Sequence, residues 1–398
     1  MIHNVECLDV TKRIVGSDAI DKIGSFLKAD GAHVVLLHYG KGEYLNAVLP
    51  RVKASLSASG LEFVELGGVV PNPRLGLIKE GIKFAKANNV DYILSVGGGS
   101  AVDSAKGIAQ GMAYEGELWN LWAKTDAIPA DAKVTPVSAV VTYPATGADC
   151  GAASVVCNEE TREKYWSWDM RAQPHYSFMD PEYTMTLPRY LLCNGIGDMM
   201  THYTDSYLAP NAHFGLYSNL LESIMHYIHA DLAPIILDPE RDNLVDRTEL
   251  MVATSLACDA TLNLGHDGEN ASHQLAHAVG AIYDTTHGSA LSILYRAWLE
   301  YICEDNIPRF ARMAEKVWGV EPDPANERAV AHEGINRLIN WFASLGLPVS
   351  FSDEGISPTE EEIELMADQV ARVFGTGYVG KNRKLYKDDI IQIYKNSL

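Results

Sequence analysis

Residues 90–107 read VDYILSVGGGSAVDSAKG, an apolar run of strand length that ends in three glycines and continues with a helical pattern. Glycine at a strand end lets the backbone approach a ligand closely. The N-terminus of the following helix offers unpaired N–H groups and a positive dipole end to a phosphate. The stretch therefore reads as a βα unit with a dinucleotide pyrophosphate site at its turn. The pattern is not G-x-G-x-x-G, and a glycine turn alone does not separate a cofactor site from a structural bend. Asp103 and Lys106, one helical turn on, are expected to face the ligand rather than the core.

The same alternation extends to both sides of this unit. AHVVLLHYG (32–40) is a strand followed by the helical YLNAVLPRVKASLSASG, and LEFVELGG (61–68) is a strand followed, after the turn VVPNP, by LGLIKEGIKFAKANN. KVTPVSAVVTYPATGAD (133–149) reads as a further buried strand with a loop, and HYSFMDPEYTMTLP (175–188) closes the half with a proline-marked turn. Alternating strands and helices indicate a parallel, Rossmann-like sheet with crossover helices. Beyond Pro188 the pattern changes to long helical stretches with no strand between them. The boundary is expected there, with an α/β domain over 1–187 and an all-helical domain over 188–398. Two domains also suit a chain of 398 residues, because single cores stop growing near ~250–300 residues.

Composition narrows the function classes. Lys plus Arg total 32 against 52 Asp plus Glu, a formal charge of -20 that repels nucleic acid and anionic membranes. The start, MIHNVECLDVTKR, carries charges where a signal peptide needs an apolar run, and no run is long enough to span a bilayer. The six cysteines stand singly without a C-x-x-C pair, as expected of reduced thiols in the cytoplasm.

The helical half carries the polar signals. HQLAHAVGAIYDTTHG (273–288) places three histidines close together, and NGIGDMMTHYTDSY (194–207) puts Asp198 and His202 at i and i+4 on one helical face. H-x-x-x-H resembles half of a zinc protease helix, but Gln274 stands where the general base would be, and an amide cannot act as one. Asp198, His202, His273, His277 and His287 form a pool of one carboxylate and four imidazoles. A mixed N/O set suits Fe(II) or Zn better than Ca or Mg. His266 stays in this pool, whereas His3, His33, His38, His175, His213, His226, His229 and His332 read as packing or surface residues. Between 188 and 300 there are four arginines and no lysine. A multiply anionic substrate would need more cations, so a neutral organic one is expected.

The order GGGSAVDSAK, DMMTH, HQLAHAVGAIYDTTHG resembles the iron-dependent (group III) alcohol dehydrogenase family, and within it the NADP-linked butanol dehydrogenase and aldehyde reductase branch. VVPNP, VVTYPATGAD, MDPEYTMTLP and LYKDDIIQIYK follow the family's order and spacing, so the likeness covers nearly the whole chain. It implies a dehydroquinate synthase-like fold and a homodimer. It also implies Asp198, His202, His273 and His287 as metal ligands, with His277 beside them relaying a proton and Asp103 as a second catalytic group. For the cofactor it implies Asn72, Gly98, Gly99, Ser100, Asp103, Thr142, Thr146 and Lys164.

Two departures stand out. Where relatives have T-G-S-E, this chain has Thr146, Gly147, Ala148 and Asp149. Where NAD-linked relatives carry an Asp after the first strand, this chain has HYGKG (38–42). Gly40, Lys41 and Gly42 would accept a 2′-phosphate that an Asp would repel, so NADP(H) is expected over NAD(H). The implied reaction is hydride transfer between nicotinamide and a small primary alcohol or aldehyde, butanol and butanal being the type. One divalent metal, Fe(II) first and Zn second, polarises the oxygen. The alternatives are a 3-dehydroquinate synthase-like lyase, an NAD-linked polyol dehydrogenase and a non-catalytic sensor on the same scaffold.

Overall fold

The computed structural model describes residues 9–210, 215–259, 262 and 268–398. Its strands are β1 (Lys12–Val15), β2 (Val34–Tyr39), β3 (Glu62–Leu66), β4 (Tyr92–Gly97), β5 (Val137–Val141), β6 (Ala153–Asn158), β7 (Glu163–Trp168), β8 (Tyr176–Met179), β9 (Tyr378–Val379) and β10 (Leu385–Tyr386). The helices of the first half are α1 (Ile23–Ala29), α2 (Leu45–Ala58), α3 (Leu75–Ala87) and α4 (Gly99–Met112). Those of the second are α5 (Arg189–Tyr207), α6 (Gly215–Tyr227), α7 (Ala233–Ile236), α8 (Leu244–Ala257), α9 (Ala271–Tyr283), α10 (His287–Cys303), α11 (Ile307–Lys316), α12 (Glu327–Ser344), α13 (Glu360–Arg372) and α14 (Lys387–Asn396).

The α/β unit is built on six parallel strands in the order β1-β8-β5-β4-β2-β3. β4 and β5 are buried throughout and read as nearly continuous apolar runs, each interrupted by one serine, as strands covered on both faces do. Val35, Leu37, Leu94, Val96 and Val140 join α1 and α2 in one core cluster. Alternation along each strand turns Leu36, Ile93 and Ala139, also fully buried, to the other face. The chain leaves β2 toward β3 on one side and returns to β4 on the other. The order therefore reverses between β2 and β4, and the carboxyl ends of such a pair form the crevice where doubly wound sheets bind ligands. The stretches after these two strands are Gly40–Lys41–Gly42 and the 97–99 glycine turn.

Several elements go beyond the sequence expectation. β1 is an added edge strand pairing with β8, and β6 and β7 form an antiparallel hairpin. The helical part also contains the two-residue strands β9 and β10, which correct the expectation of no strand after Pro188. β1, β9 and β10 are too short or too exposed to show a period: β1 buries only Ile14 of its four residues.

The chain divides into Asp9–Pro188 with Glu240–Asp259, and a second unit of Arg189–Pro239 with the region from 260 onward. A single cut in sequence leaves α8 with the helical half, whereas its contacts lie with the α/β unit. Arg247 pairs with Asp242 and donates to the Thr184 carbonyl at 3.0 Å, and Met251 packs with Val141 and Met179. Among the described residues no helix is long and apolar enough to cross a membrane.

Candidate metal centre and cofactor recess

Three helices of the second unit carry the centre's donor groups. On α5, Asp198, His202 and Asp205 follow at i, i+4 and i+7, which places them along one stripe. α9 starts where the buried Glu269 carboxylate accepts the Ala271 N–H at 3.0 Å, and it presents His273 and His277 one turn apart. It ends at Asp284 in the left-handed region (φ 55). After a short turn, α10 begins with His287 as its first residue and packs against α9. The interval between His273 and His287 is thus one helix, one reversal and the start of the next helix.

Asp198, His273 and His287 each offer an atom within 4.8 Å of the others. His202 Nε2 lies 3.4 Å from Asp198 Oδ1 and 3.4 Å from His273 Nε2, and His287 Nε2 lies 3.9 Å from Asp198 Oδ1. Asp198 is buried, yet its Oδ1 makes no hydrogen bond among the described residues. A buried carboxylate oxygen left in that state carries a desolvation cost that a bound cation would remove. Two imidazole nitrogens facing each other at 3.4 Å likewise suit a shared cation better than a shared proton. An N₃O donor set of this kind fits Fe(II) or Zn. His277 is buried as well, its ring stacked on that of His287 at 5.3 Å.

Behind the donors lies a residue that the sequence reading passed over. Asp205 Oδ2 accepts from His273 Nδ1 at 2.8 Å, and its Oδ1 accepts from Tyr295 Oη at 2.8 Å. Its place on the Asp198/His202 stripe was the available signal. His266, in the original pool, lies outside the described residues.

In the α/β unit, the glycine turn opens onto a recess lined by Gly97, Gly98, Gly99, Tyr143, Thr146 and Asp149 among others. Gly97 holds φ +156, and no side chain caps α4. A Cβ on Gly98 would lie 3.0 Å from Tyr143 Cβ, and one on Gly99 would lie 2.6 Å from Thr146 Oγ1. A side chain at either glycine would have to displace Tyr143 or Thr146, and the turn leaves the first-turn N–H groups of α4 beside the recess.

The family profile for iron-containing alcohol dehydrogenase matches residues 11–181, and the C-terminal profile of the Fe-containing alcohol dehydrogenase family matches 194–398. The chain belongs to the iron-containing alcohol dehydrogenase family. It is accordingly an oxidoreductase acting on CH–OH donors. It is 34% identical to NADH-dependent butanol dehydrogenase A of Clostridium acetobutylicum, over 97% of each chain. It is 28% identical to the NADPH-dependent aldehyde reductase YqhD of Escherichia coli, over 89% of this chain and 90% of the relative. The crystal structure of NADH-dependent butanol dehydrogenase A from Thermotoga maritima superposes with a TM-score of 0.91 at 32% identity, covering 98% of both chains.

Lys164 Nζ donates to Asn72 Oδ1 at 2.7 Å, both buried, with Asn72 in the left-handed region at φ 55. Asp103 is buried near Lys106 and Lys164. Burial pushes its carboxyl up to about 6, although both ammonium groups pull the other way. The Thr142 N–H donates to the Gly97 carbonyl, and Thr146 Oγ1 accepts the Ala148 N–H, so this loop is tied to the glycine turn and to itself. Gly40, Lys41 and Gly42 follow β2, with Lys41 exposed, and Ser100 is half-buried in the first turn of α4.

Lys106 corrects the expectation that it faces a ligand. It is fully buried and donates to the Ala148 and Ala153 carbonyls at 2.6 and 2.8 Å. Burial lowers its pKa, and Asp103, 3.8 Å away, acts in the opposite sense. Its work is to hold the Thr146–Asp149 loop. The Glu-to-Asp departure has a similar account: Asp149 Oδ2 accepts from Ser177 Oγ and Ser255 Oγ, anchoring the loop to β8 and α8.

Proposed function

We propose that the chain is a metal-dependent alcohol dehydrogenase and aldehyde reductase that moves hydride between NADP(H) and a small, neutral primary alcohol or aldehyde of the butanol and butanal type. The observation that carries this reading is the buried Asp198 Oδ1, without a hydrogen bond among the described residues and with two imidazole nitrogens 3.4 and 3.9 Å away. Asp198, His202, His273 and His287 would hold one divalent ion, Fe(II) or Zn, whose chemistry is to polarise the substrate oxygen. Hydride adds to the carbonyl carbon, and the oxygen takes a proton. His277, buried beside His287, is the group that passes this proton. Asp103, with its carboxyl pushed up to about 6, is a second proton carrier on the cofactor side. The nicotinamide dinucleotide is held by Gly98, Gly99 and Ser100 at its pyrophosphate, and by Asn72, Thr142, Thr146 and Lys164 around it.

NADP(H) is favoured by Gly40 and Gly42 flanking the exposed Lys41, with no carboxylate at the end of β2. NAD(H) is the second reading, favoured by Glu43, exposed in the same turn, and by the name of the Clostridium acetobutylicum relative. Lys41→Ala is expected to lower kcat/KM for NADPH about fivefold with NADH unchanged, since an exposed ion pair contributes up to ~1 kcal/mol. An equal loss with both cofactors rejects the preference. We place the enzyme in the cytoplasm as a homodimer. The location is supported by the five described cysteines, none of which forms a disulfide.

The deciding experiment follows NADPH oxidation with aldehydes of two to eight carbons while the metal content of the same preparation is measured. Turnover that rises with bound metal and peaks at short neutral aldehydes is expected. Full activity in a metal-free preparation rejects the mechanism.

A further inference from the structure

We propose that Asp205 is a positioning residue of the metal centre, orienting His273 and supplying the centre's second negative charge. This rests on the metal reading above. His273 Nδ1 lies 2.8 Å from Asp205 Oδ2, an oxygen that can only accept, so the proton of the imidazole sits on Nδ1. Nε2 is then left with its lone pair, and Nε2 is the atom that faces His202 Nε2. The carboxylate thus selects the tautomer that can bind a cation.

Asp205 is itself fixed from two sides. Ser272 Oγ donates to Oδ2, and Tyr295 Oη donates to Oδ1 at 2.8 Å. Tyr295 is fully buried, and burial, reinforced by the neighbouring Asp205 charge, drives its phenol well above the ordinary value. It therefore stays a neutral donor. With both oxygens engaged, the carboxylate plane cannot swing away from His273. Charge points the same way. A divalent cation held by Asp198 and neutral imidazoles keeps one net positive charge among buried groups, and Asp205, itself buried, cancels it.

The rival role is purely structural, because Asp205 links α5 to α9 through Ser272 and to α10 through Tyr295. Zinc titration of the metal-stripped full-length protein against a chromogenic chelator separates the two. Asp205→Asn keeps the shape and one acceptor but removes the charge. Its zinc Kd is expected to weaken about 10- to 100-fold, the range typical of carboxylates behind metal-bound histidines. Asp205→Ala should lose at least as much and Tyr295→Phe less, with the Co(II) absorption spectrum shifted in each. The Tm of metal-free Asp205→Asn is expected to stay near that of the native chain.

Zinc affinity of Asp205→Asn within threefold of native overturns the proposal. So does a fall in metal-free Tm that leaves the Kd of the folded protein unchanged. His273→Ala is the control. If it binds zinc as tightly as the native chain, the ligand assignment fails, whatever Asp205 does.

Discussion

In the helical unit the candidate chemistry sits on side chains: Asp198, His202, His273 and His287 project donor atoms that approach within a few ångströms. In the α/β unit it sits on their absence: a Cβ on Gly98 or Gly99 would crowd Tyr143 or Thr146, and glycine leaves the backbone amides open to the recess. The two regions also treat buried polar groups differently. Around the glycine turn, Lys106, Asp149 and the Asn72–Lys164 pair all make hydrogen bonds, and they shape loops. At the helical centre, Asp198 Oδ1 is left without one. A buried polar group without a hydrogen bond calls for an explanation, and beside two imidazole nitrogens a cation supplies one.

The largest effect expected from this contrast is at His273. His273→Ala should lose bound metal and lower turnover on the order of a thousandfold or more. His277→Ala should keep the metal and slow turnover only. Metal analysis beside steady-state rates checks both, and metal retained by His273→Ala would break the comparison.

A histidine of the α/β unit sharpens it from the other side. His38 is fully buried, with ring nitrogens on the Leu66 carbonyl and Ser104 Oγ, and burial lowers its pKa from 6.5 to about 4. Its folded value lies below its unfolded one, so the unfolded chain takes up the proton first. Stability is whole above pH 6.5 and is lost as pH falls toward about 4. The loss amounts to about 3 kcal/mol. Denaturant melts across that range should show His38→Gln with a flatter profile than the native chain. Equal slopes would mean that His38 is not the group responsible.

The smallest expected effect is at the glycine turn. Gly99→Ala puts a methyl 2.6 Å from Thr146 Oγ1, which can yield by a small side-chain shift. KM for the nicotinamide cofactor should rise about tenfold, ~1.4 kcal/mol, with metal content unchanged. A loss of metal in this variant would show that the two regions do not function separately.

What was legible in the sequence depended on how local the signal was. β2, β4 and α4 could be read directly, because a mostly apolar run of strand length that stops at glycines, and helical spacing after it, are local signals. β1 could not, since only Ile14 of its four residues is buried and its partner β8 lies far along the chain. α8 has an apolar stripe like its neighbours in sequence, but a stripe does not say which core it joins. That was decided by Arg247 on the Thr184 carbonyl and Met251 beside Val141. For Lys106 the reading failed, because spacing shows which turn a side chain leaves from and not whether it meets a ligand or two backbone carbonyls.

The sequence by itself determined the crossover pattern of the α/β half, the glycine turn, the helical character of most of the second half and the pool of donors on α5, α9 and α10. Each of these follows from residue types repeating over a few positions, where helix and strand geometry are known in advance. The tertiary structure decided which donors meet, by reversing the chain at Asp284 so that His287 returns beside His273. It also decided that Asp205 stands behind His273, because contacts between residues dozens of positions apart depend on how helices pack and leave no period to read.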